Sequence, residues 1–255
     1  MSTDKQSIDW YNANAEEYTS DIQNSPYHKF YEKPAMRSLI PVIKNKTVIS
    51  LGCGPGVDSA YLKSLGANKS VGIDISSGQI KIANKNYPEC DFEVMDMEHL
   101  NFPDSSFDFA YSSLAIDYIE DWTNVLKEVY RILKPNSYFL FSCEHPVKYS
   151  MDGANTDTDW ILKLEIMKNK ETKEYKIIGD YLARKKIPDG FGKDTVTHWK
   201  KSYSEISSEI KSSGFLIEQI VDPMPTEEMK GEFPEKYKKL MKIPEFTIFR
   251  LLKVS

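Results

Sequence analysis

Gly52, Gly54 and Gly56 alternate along Ser50-Leu51-Gly52-Cys53-Gly54-Pro55-Gly56, between a short β-branched run and a helical stretch. Glycines placed there let the chain turn tightly and let a ligand approach main-chain atoms. The spacing is not the dinucleotide pattern Gly-x-Gly-x-x-Gly, because Val57 stands where its third glycine would be. No Gly-x-x-x-x-Gly-Lys-[Ser/Thr] run is present either, which excludes an ATP-type phosphate loop. About 20 residues on, Asp74 offers an acidic side chain at the offset that reaches a ribose diol. Asp96, followed by Met97 and Glu98, can accept from an adenine amino group while Met97 packs on the ring. Each feature has a plainer reading: a strand-to-helix turn, a helix N-terminal acid favoured by the dipole, a turn residue. Three strand ends in step, each with fitting chemistry, favour the nucleoside reading.

These residues need a scaffold that brings strand ends to one edge. Residues 47–51, 70–75, 92–95, 107–114 and 138–143 read as strands. Residues 58–65 read as a helix stopped by Gly66. A second helix is opened by Ser76 with Gln79 three residues on, a capping-box pattern. A third, 121–133, has Val125, Val129, Ile132 and Leu133 on its apolar face and is ended by Lys134-Pro135-Asn136. Alternating strands and helices imply an α/β fold with a parallel sheet covered on both faces. Ligands then sit at the carboxyl ends of the strands. In the tail, 204–213 reads as a helix stopped by Gly214, and 215–221 and 246–254 as strands. No convincing helical period lies between those strands, which predicts an antiparallel hairpin with a long connection. Residues 1–40, a polar helix and a Tyr-rich stretch, and 147–203 fit no repeat of the sheet. They are expected to cap a core of 41–146 and 204–255 within one domain spanning 1–255.

Composition narrows the function classes. The formal net charge is -5, with Lys and Arg interleaved among Asp and Glu, so a basic nucleic-acid-binding stripe is not expected. No apolar run approaches the roughly 20 residues of a membrane helix. The polar opening residues do not resemble a signal peptide. Cys53, Cys90 and Cys143 are scattered, without metal-ligand spacing, and suit a reducing compartment; His28, His99, His145 and His198 are dispersed as well, which makes a structural metal site unexpected. The expectation is a cytoplasmic protein with no metal, no nucleic-acid partner and no membrane contact. Oligomeric state is not legible.

Four segments, taken together, resemble the successive signatures of class I S-adenosylmethionine-dependent methyltransferases of the methyltransferase domain 11 type. They are Val-Ile-Ser-Leu-Gly-Cys-Gly-Pro-Gly, Val-Gly-Ile-Asp-Ile-Ser, Phe-Pro-Asp-Ser-Ser-Phe-Asp-Phe and Glu-Val-Tyr-Arg-Ile-Leu-Lys-Pro-Asn. The resemblance covers residues 10–145 well and 204–254 in outline. It implies a Rossmann-like seven-stranded sheet whose last strand is antiparallel, with N-terminal and mid-chain cap insertions. It implies S-adenosylmethionine as cofactor and S-adenosylhomocysteine as product. Gly52, Cys53, Gly54 and Gly56 would lie at the methionine moiety, with Ser112 and Leu114 facing it from the fourth strand. Asp74 would hold the ribose hydroxyls, with Ile75 against the adenine. Asp96 and Met97 would hold the adenine, with Gln79 and Glu98 in the same cofactor-binding set. Tyr11 and Tyr18 resemble a segment that folds over the cofactor. Two positions depart from the pattern: Ser50 stands where an acid is usual, and Asn136 where a glycine is usual. Asn tolerates a left-handed turn.

Methyl transfer from a sulfonium is an in-line displacement in which positioning supplies much of the acceleration. A base is needed only for an acceptor that is protonated at working pH. Asp117, three residues past Leu114, is a candidate, with a surface loop acid as the plain alternative. His145 directly follows the fifth strand and His198 lies in the insertion; both could equally be packed residues. Cys53 and Cys143 read as small buried residues. The insertion holds Tyr149, Trp160, Tyr175, Tyr181, Phe191, Trp199 and Tyr203, expected to form an apolar lid that shields the sulfonium from water. The alternating stretch 175–181 suggests strand pairing across the cleft mouth, and 152–159 a solvated acidic loop. The expected activity is methylation of a small molecule on O, N or C. The alternatives are an inert cofactor-binding module, kept open by Ser50, and an RNA methyltransferase, disfavoured by charge.

Overall fold

The computed structural model describes residues 4–155, 160–163, 165–188 and 196–254. The chain opens with α1 (Lys5–Ala13), α2 (Ala15–Asn24) and α3 (Lys33–Ser38), with a π-helical turn, His28–Glu32, leading into α3. Five strands follow: β1 (Thr47–Leu51), β2 (Lys69–Asp74), β3 (Asp91–Val94), β4 (Phe107–Ser113) and β5 (Leu133–Glu144). They alternate with α4 (Val57–Ser64), α5 (Ser77–Asn86) and α6 (Thr123–Ile132). All pairings among the five are parallel. Val48, Ile49 and Leu51 are fully buried, as strands covered on both faces require. On α6, Val125, Leu126, Val129 and Ile132 recur at helical spacing and are buried. Phe139, Phe141 and Phe249 stack through the core, and Trp122 meets Phe141 edge-on.

Residues after β5 form three small two-stranded pairings before the core resumes. β6 (Asp152–Asn155) pairs with β7 (Trp160–Lys163), β8 (Glu165–Lys168) with β9 (Tyr175–Ile178), and β10 (Lys185–Pro188) with β11 (Thr197–Lys200). Two expectations are corrected here. Residues 152–155 are strand rather than solvated loop. β9 completes a local hairpin with β8 rather than pairing across the cleft, and Tyr175 and Ile177 are exposed.

After α7 (Tyr203–Ser213), capped by a Ser202–Glu205 capping box and stopped by Gly214, the chain returns through β12 (Leu216–Val221) and β13 (Phe246–Lys253). The sheet order is β12-β13-β5-β4-β1-β2-β3, with β13 antiparallel to both neighbours. This is the Rossmann-like seven-stranded fold. The connection between β12 and β13 does contain helices, α8 (Glu227–Glu232) and α9 (Pro234–Leu240). They are too short to show a period, and each buries little more than one anchor, Met229 and Leu240. Asn136 takes φ 59°, the left-handed conformation its side chain tolerates.

Candidate active site

The carboxyl ends of β1, β2 and β4 enclose a narrow cavity. Gly52 and Gly54 form its floor with φ of 60° and 52°. A Cβ on Gly52 would collide with that of Ala115, while one on Gly54 would meet nothing within 4 Å. The Gly54 N–H donates to Asp74 Oδ2 (2.9 Å) and the Ser76 N–H to Oδ1 (2.8 Å). Asp74 therefore ties the glycine loop to β2, and each oxygen keeps a lone pair for a further donor. Burial pushes its carboxyl above the usual value, against the hydrogen bonds from Ser76, Gly54 and Ile75. Two more polar groups on this wall are unsatisfied. Gln79 is buried and neither end of its amide has a hydrogen-bond partner among the described residues; the same holds for Asp96 Oδ2. Buried orphan atoms are costly unless a ligand or water completes them. A carboxylate for a diol, an orphan carboxylate oxygen and an orphan amide are the partners an adenine nucleoside needs.

Tyr11 and Tyr18 roof the cavity from α1 and α2, their rings edge-to-face at 4.9 Å. The Tyr11 and Tyr118 hydroxyls meet at 2.6 Å across the opening. Asn12 pins this roof to α5: its Oδ1 accepts from Ser76 Oγ (2.9 Å) and the Gly78 N–H (3.1 Å). With the roof closed the cavity measures about 90 Å³, below the roughly 300–1,000 Å³ of ordinary ligand pockets.

Ile75, Met97 and Leu114 complete the lining. Four residues expected at the cofactor do not line it. Ser112 is buried in the sheet and donates to the Leu51 carbonyl (3.0 Å); Ser113, one residue on and on the opposite face, lines the cavity instead. Cys53 packs with Ile80, Ala83 and Phe92, where burial pushes its thiol well up. Gly56 caps α4 at φ 88°. Glu98 faces a different surface groove.

A second cavity, about 430 Å³, shares Tyr18, Ser113, Leu114 and Tyr118 with the first. Leu114 sits at φ 48°, a strained conformation of the kind that gathers at functional sites. Its N–H donates to the Ser142 carbonyl (3.2 Å) and Oγ (3.1 Å), which hold that turn. Asp117 and His198 both line this cavity and are nearly fully buried; Asp117 Oδ2 accepts from the Glu144 N–H (2.8 Å). His145 does not line it. Its Nδ1 accepts from the Val147 N–H (3.2 Å), and its Nε2 pairs with the Tyr203 hydroxyl (2.9 Å) beside Asp222. Burial holds that imidazole below its ordinary value, Asp222 acting in the opposite sense. The remaining wall comes from Ser25, Tyr27, His28, Glu144, Lys148, Lys239, Glu245 and Phe246, none of them singled out from the sequence. They arrive from the π-helical turn and the residues just before it, the end of β5, α9 and the approach to β13. Of residues 147–203, the described wall includes Lys148 and His198. Tyr175 is exposed, and the side chains of Tyr149, Trp160 and Phe191 lie outside the described residues.

Among the described residues no group of three or more His, Cys, Asp or Glu could hold a metal ion, and no helix is long and apolar enough to cross a membrane. Residues 49–141 match the family model described as methyltransferase domain. An uncharacterised protein of Haemophilus influenzae is 26% identical over 236 residues, 89% of each chain. The solved structure of a putative S-adenosylmethionine-dependent methyltransferase from Listeria monocytogenes matches with TM-score 0.72 and 25% identity, over 88% of this chain and 97% of that one. One from Mesorhizobium loti matches with TM-score 0.72 and 24% identity, over 91% and 99%. With the motif-bearing strand ends gathered on one edge of the sheet, residues 49–141 form a methyltransferase domain of the class I S-adenosylmethionine-dependent kind, and S-adenosylmethionine is its cofactor.

Proposed function

We propose that this chain methylates a small molecule held in the 430 Å³ cavity. The observation that carries the reading is the shared wall. Ser113, Leu114, Tyr18 and Tyr118 border both cavities, so two ligands there would meet end to end. The volume suits a metabolite, and the acidic balance of the chain disfavours RNA.

When bound, S-adenosylmethionine supplies a methyl group on a cationic sulfur, open to in-line displacement. The chain's own residues do the rest. Asp74 accepts from the ribose hydroxyls. Asp96 Oδ2 and the Gln79 amide would complete their hydrogen bonds on the adenine, and Ile75 and Met97 would pack against it. Main-chain atoms of Gly52 and Gly54 approach the methionine tail. Tyr11 and Tyr18 close over the site and exclude water, which strengthens every electrostatic contact beneath them. Asp117 and His198 position the acceptor, and residues 147–203 serve as its cover. Three free, buried cysteines fit a cytoplasmic setting.

The test is a thermal shift with S-adenosylhomocysteine beside NAD, followed by labelled-methyl transfer into a small-molecule extract beside total RNA. Stabilisation by S-adenosylhomocysteine alone and label in the extract are expected. Label in RNA only would overturn the acceptor class.

A further inference from the structure

We propose that His28 takes the acceptor's proton during methyl transfer and that Glu32 positions it. This rests on the methyl-transfer reading above. His28 and Glu32 stand at the two ends of the π-helical turn, whose widened geometry is closed by the Lys33 N–H donating to the His28 carbonyl five residues back. Such turns recur at functional sites. Glu32 is completely buried, an unusual place for a carboxylate without a cationic partner. Its Oε1 accepts from Ser142 Oγ (2.6 Å) and Ser113 Oγ (2.9 Å), two residues at the carboxyl ends of β5 and β4. Its Oε2 faces His28 Nδ1 at 3.8 Å, and neither atom has a hydrogen-bond partner among the described residues. Two buried orphans aimed at each other need only a small rotation to bond. Burial would raise the Glu32 carboxyl, yet His28, with help from Lys33 and Ser142, holds it below the usual value.

His28 lines the 430 Å³ space that Ser113 also lines, and with Nδ1 turned to Glu32 the nitrogen left for the acceptor is Nε2. A carboxylate on Nδ1 fixes the tautomer that leaves Nε2 unprotonated and stabilises the imidazolium that forms. In the transfer, a lone pair of the acceptor heteroatom forms the bond to the methyl carbon. The carbon–sulfur bond breaks with its electron pair going to sulfur. The acceptor's proton passes to His28 Nε2 and then to solvent as product leaves. Asp117, Glu144, Lys148, His198, Lys239 and Glu245 share the cavity and set its field. Lys148 pairs with Glu144 (3.0 Å) and Glu245 (2.6 Å), and Lys239 with Glu245. A base at this place serves an acceptor whose nucleophilic atom bears a proton, an alcohol, phenol or amine.

The test compares wild type, His28→Gln and Glu32→Gln in three measurements. Calorimetry with S-adenosylhomocysteine should give affinities within about twofold of wild type; a larger loss would place the pair in the cofactor site and overturn the assignment. Labelled-methyl transfer into the small-molecule extract should fall by about a hundredfold or more in His28→Gln and by about tenfold in Glu32→Gln, with imidazole restoring part of the rate to His28→Ala. An unchanged rate in His28→Gln overturns the proposal. Long-range proton–nitrogen NMR of the four imidazoles should find His28 as the Nδ1–H tautomer in wild type and released from it in Glu32→Gln. A His28 that carries its proton on Nε2 in wild type, or is indifferent to Glu32→Gln, overturns the pairing. If wild type binds S-adenosylhomocysteine but moves no label, the methyl-transfer reading fails, and the NMR result still decides the pair.

Discussion

The two cavities share a wall and differ in how they are built. The cofactor side has a main-chain floor, the glycine loop with the Gly54 N–H on Asp74, and beneath its tyrosine roof it is drawn from the strand ends of one stretch, Gly52 to Tyr118. The acceptor side is mostly side chain, collected from the π-helical turn, β5, β11, α9 and the approach to β13. Backbone construction tolerates almost no added atom. Side-chain construction lets each wall residue vary alone, which is what a family with one cofactor and many acceptors needs.

The sharpest way to break this contrast is Gly52→Ala. The substitution adds one methyl, but at φ 60° and into Ala115 Cβ, with Met97 Cε at 3.3 Å. Affinity for S-adenosylhomocysteine should fall by about a hundredfold or more. Gly54→Ala, at nearly the same φ but with open space for its Cβ, isolates the backbone term and should cost about tenfold. Equal losses, measured by calorimetry, would show that the close approach at Gly52 is unimportant and the floor not backbone-limited.

The same contrast explains what the sequence made legible. A backbone-built site leaves a local signature, because glycine spacing and strand-end acids must occur at fixed offsets. For that reason the offsets point to Gly52, Gly54, Asp74 and Asp96, which do line one cavity, and to the alternation of strands and helices. The family pattern points to Ser112, but side chains alternate across the sheet at the end of β4, and Ser113 lines the cavity while Ser112 bonds to the Leu51 carbonyl. His28 and Glu32 were invisible, since a π-helical turn has no spacing code and its partners Ser113 and Ser142 are far away in sequence. His145 looked like a site residue from its place after β5. Its ring nitrogens are consumed by the Val147 N–H and Tyr203, partners no local pattern reveals. α8 and α9 escaped because two short helices with an anchor apiece carry no period.

An effect between those of the two glycine substitutions, or close to the larger, is expected at Asp74, where backbone and side chain meet. Asp74→Ala removes the acceptor of the Gly54 and Ser76 N–H groups as well as the ribose contact. It should weaken cofactor binding by about 1.5–3 kcal/mol. Because burial raises this carboxyl, the folded chain holds its proton more tightly than the unfolded chain. Its contribution to stability is full in acid and is lost as pH climbs through the raised value. The ribose hydroxyls need the opposite, the ionised form. Affinity for S-adenosylhomocysteine should therefore decline on acidification, beginning above the ordinary carboxylate range, and this component should vanish in Asp74→Ala. A wild-type pH profile that coincides with that of the variant removes Asp74 from the diol.

The least effect on cofactor binding is expected in the excursion that follows β5. The Asp180 N–H donates to the Ser150 carbonyl at 2.8 Å, so the excursion between them leaves and returns at one point. Its β8–β9 hairpin exposes Ile166, Tyr175 and Ile177, and none of its described residues lines either cavity. Beyond the excursion the situation reverses. The Thr197 hydroxyl donates to Asp4 Oδ2 (2.8 Å), and His198, Lys200 and Lys201 are buried, so β11 braces the roof helix and the cavity wall together. Replacing residues 152–178 with a two-residue glycine linker should leave affinity for S-adenosylhomocysteine within about twofold, and should move Tm by no more than about 2–4 °C. Cutting further, through 196–201, should unfold the roof and abolish binding. If the shorter deletion alone destroyed cofactor binding, the excursion would be a third structural partner of the cradle. The division into a backbone-built and a side-chain-built half would then have to be redrawn around it.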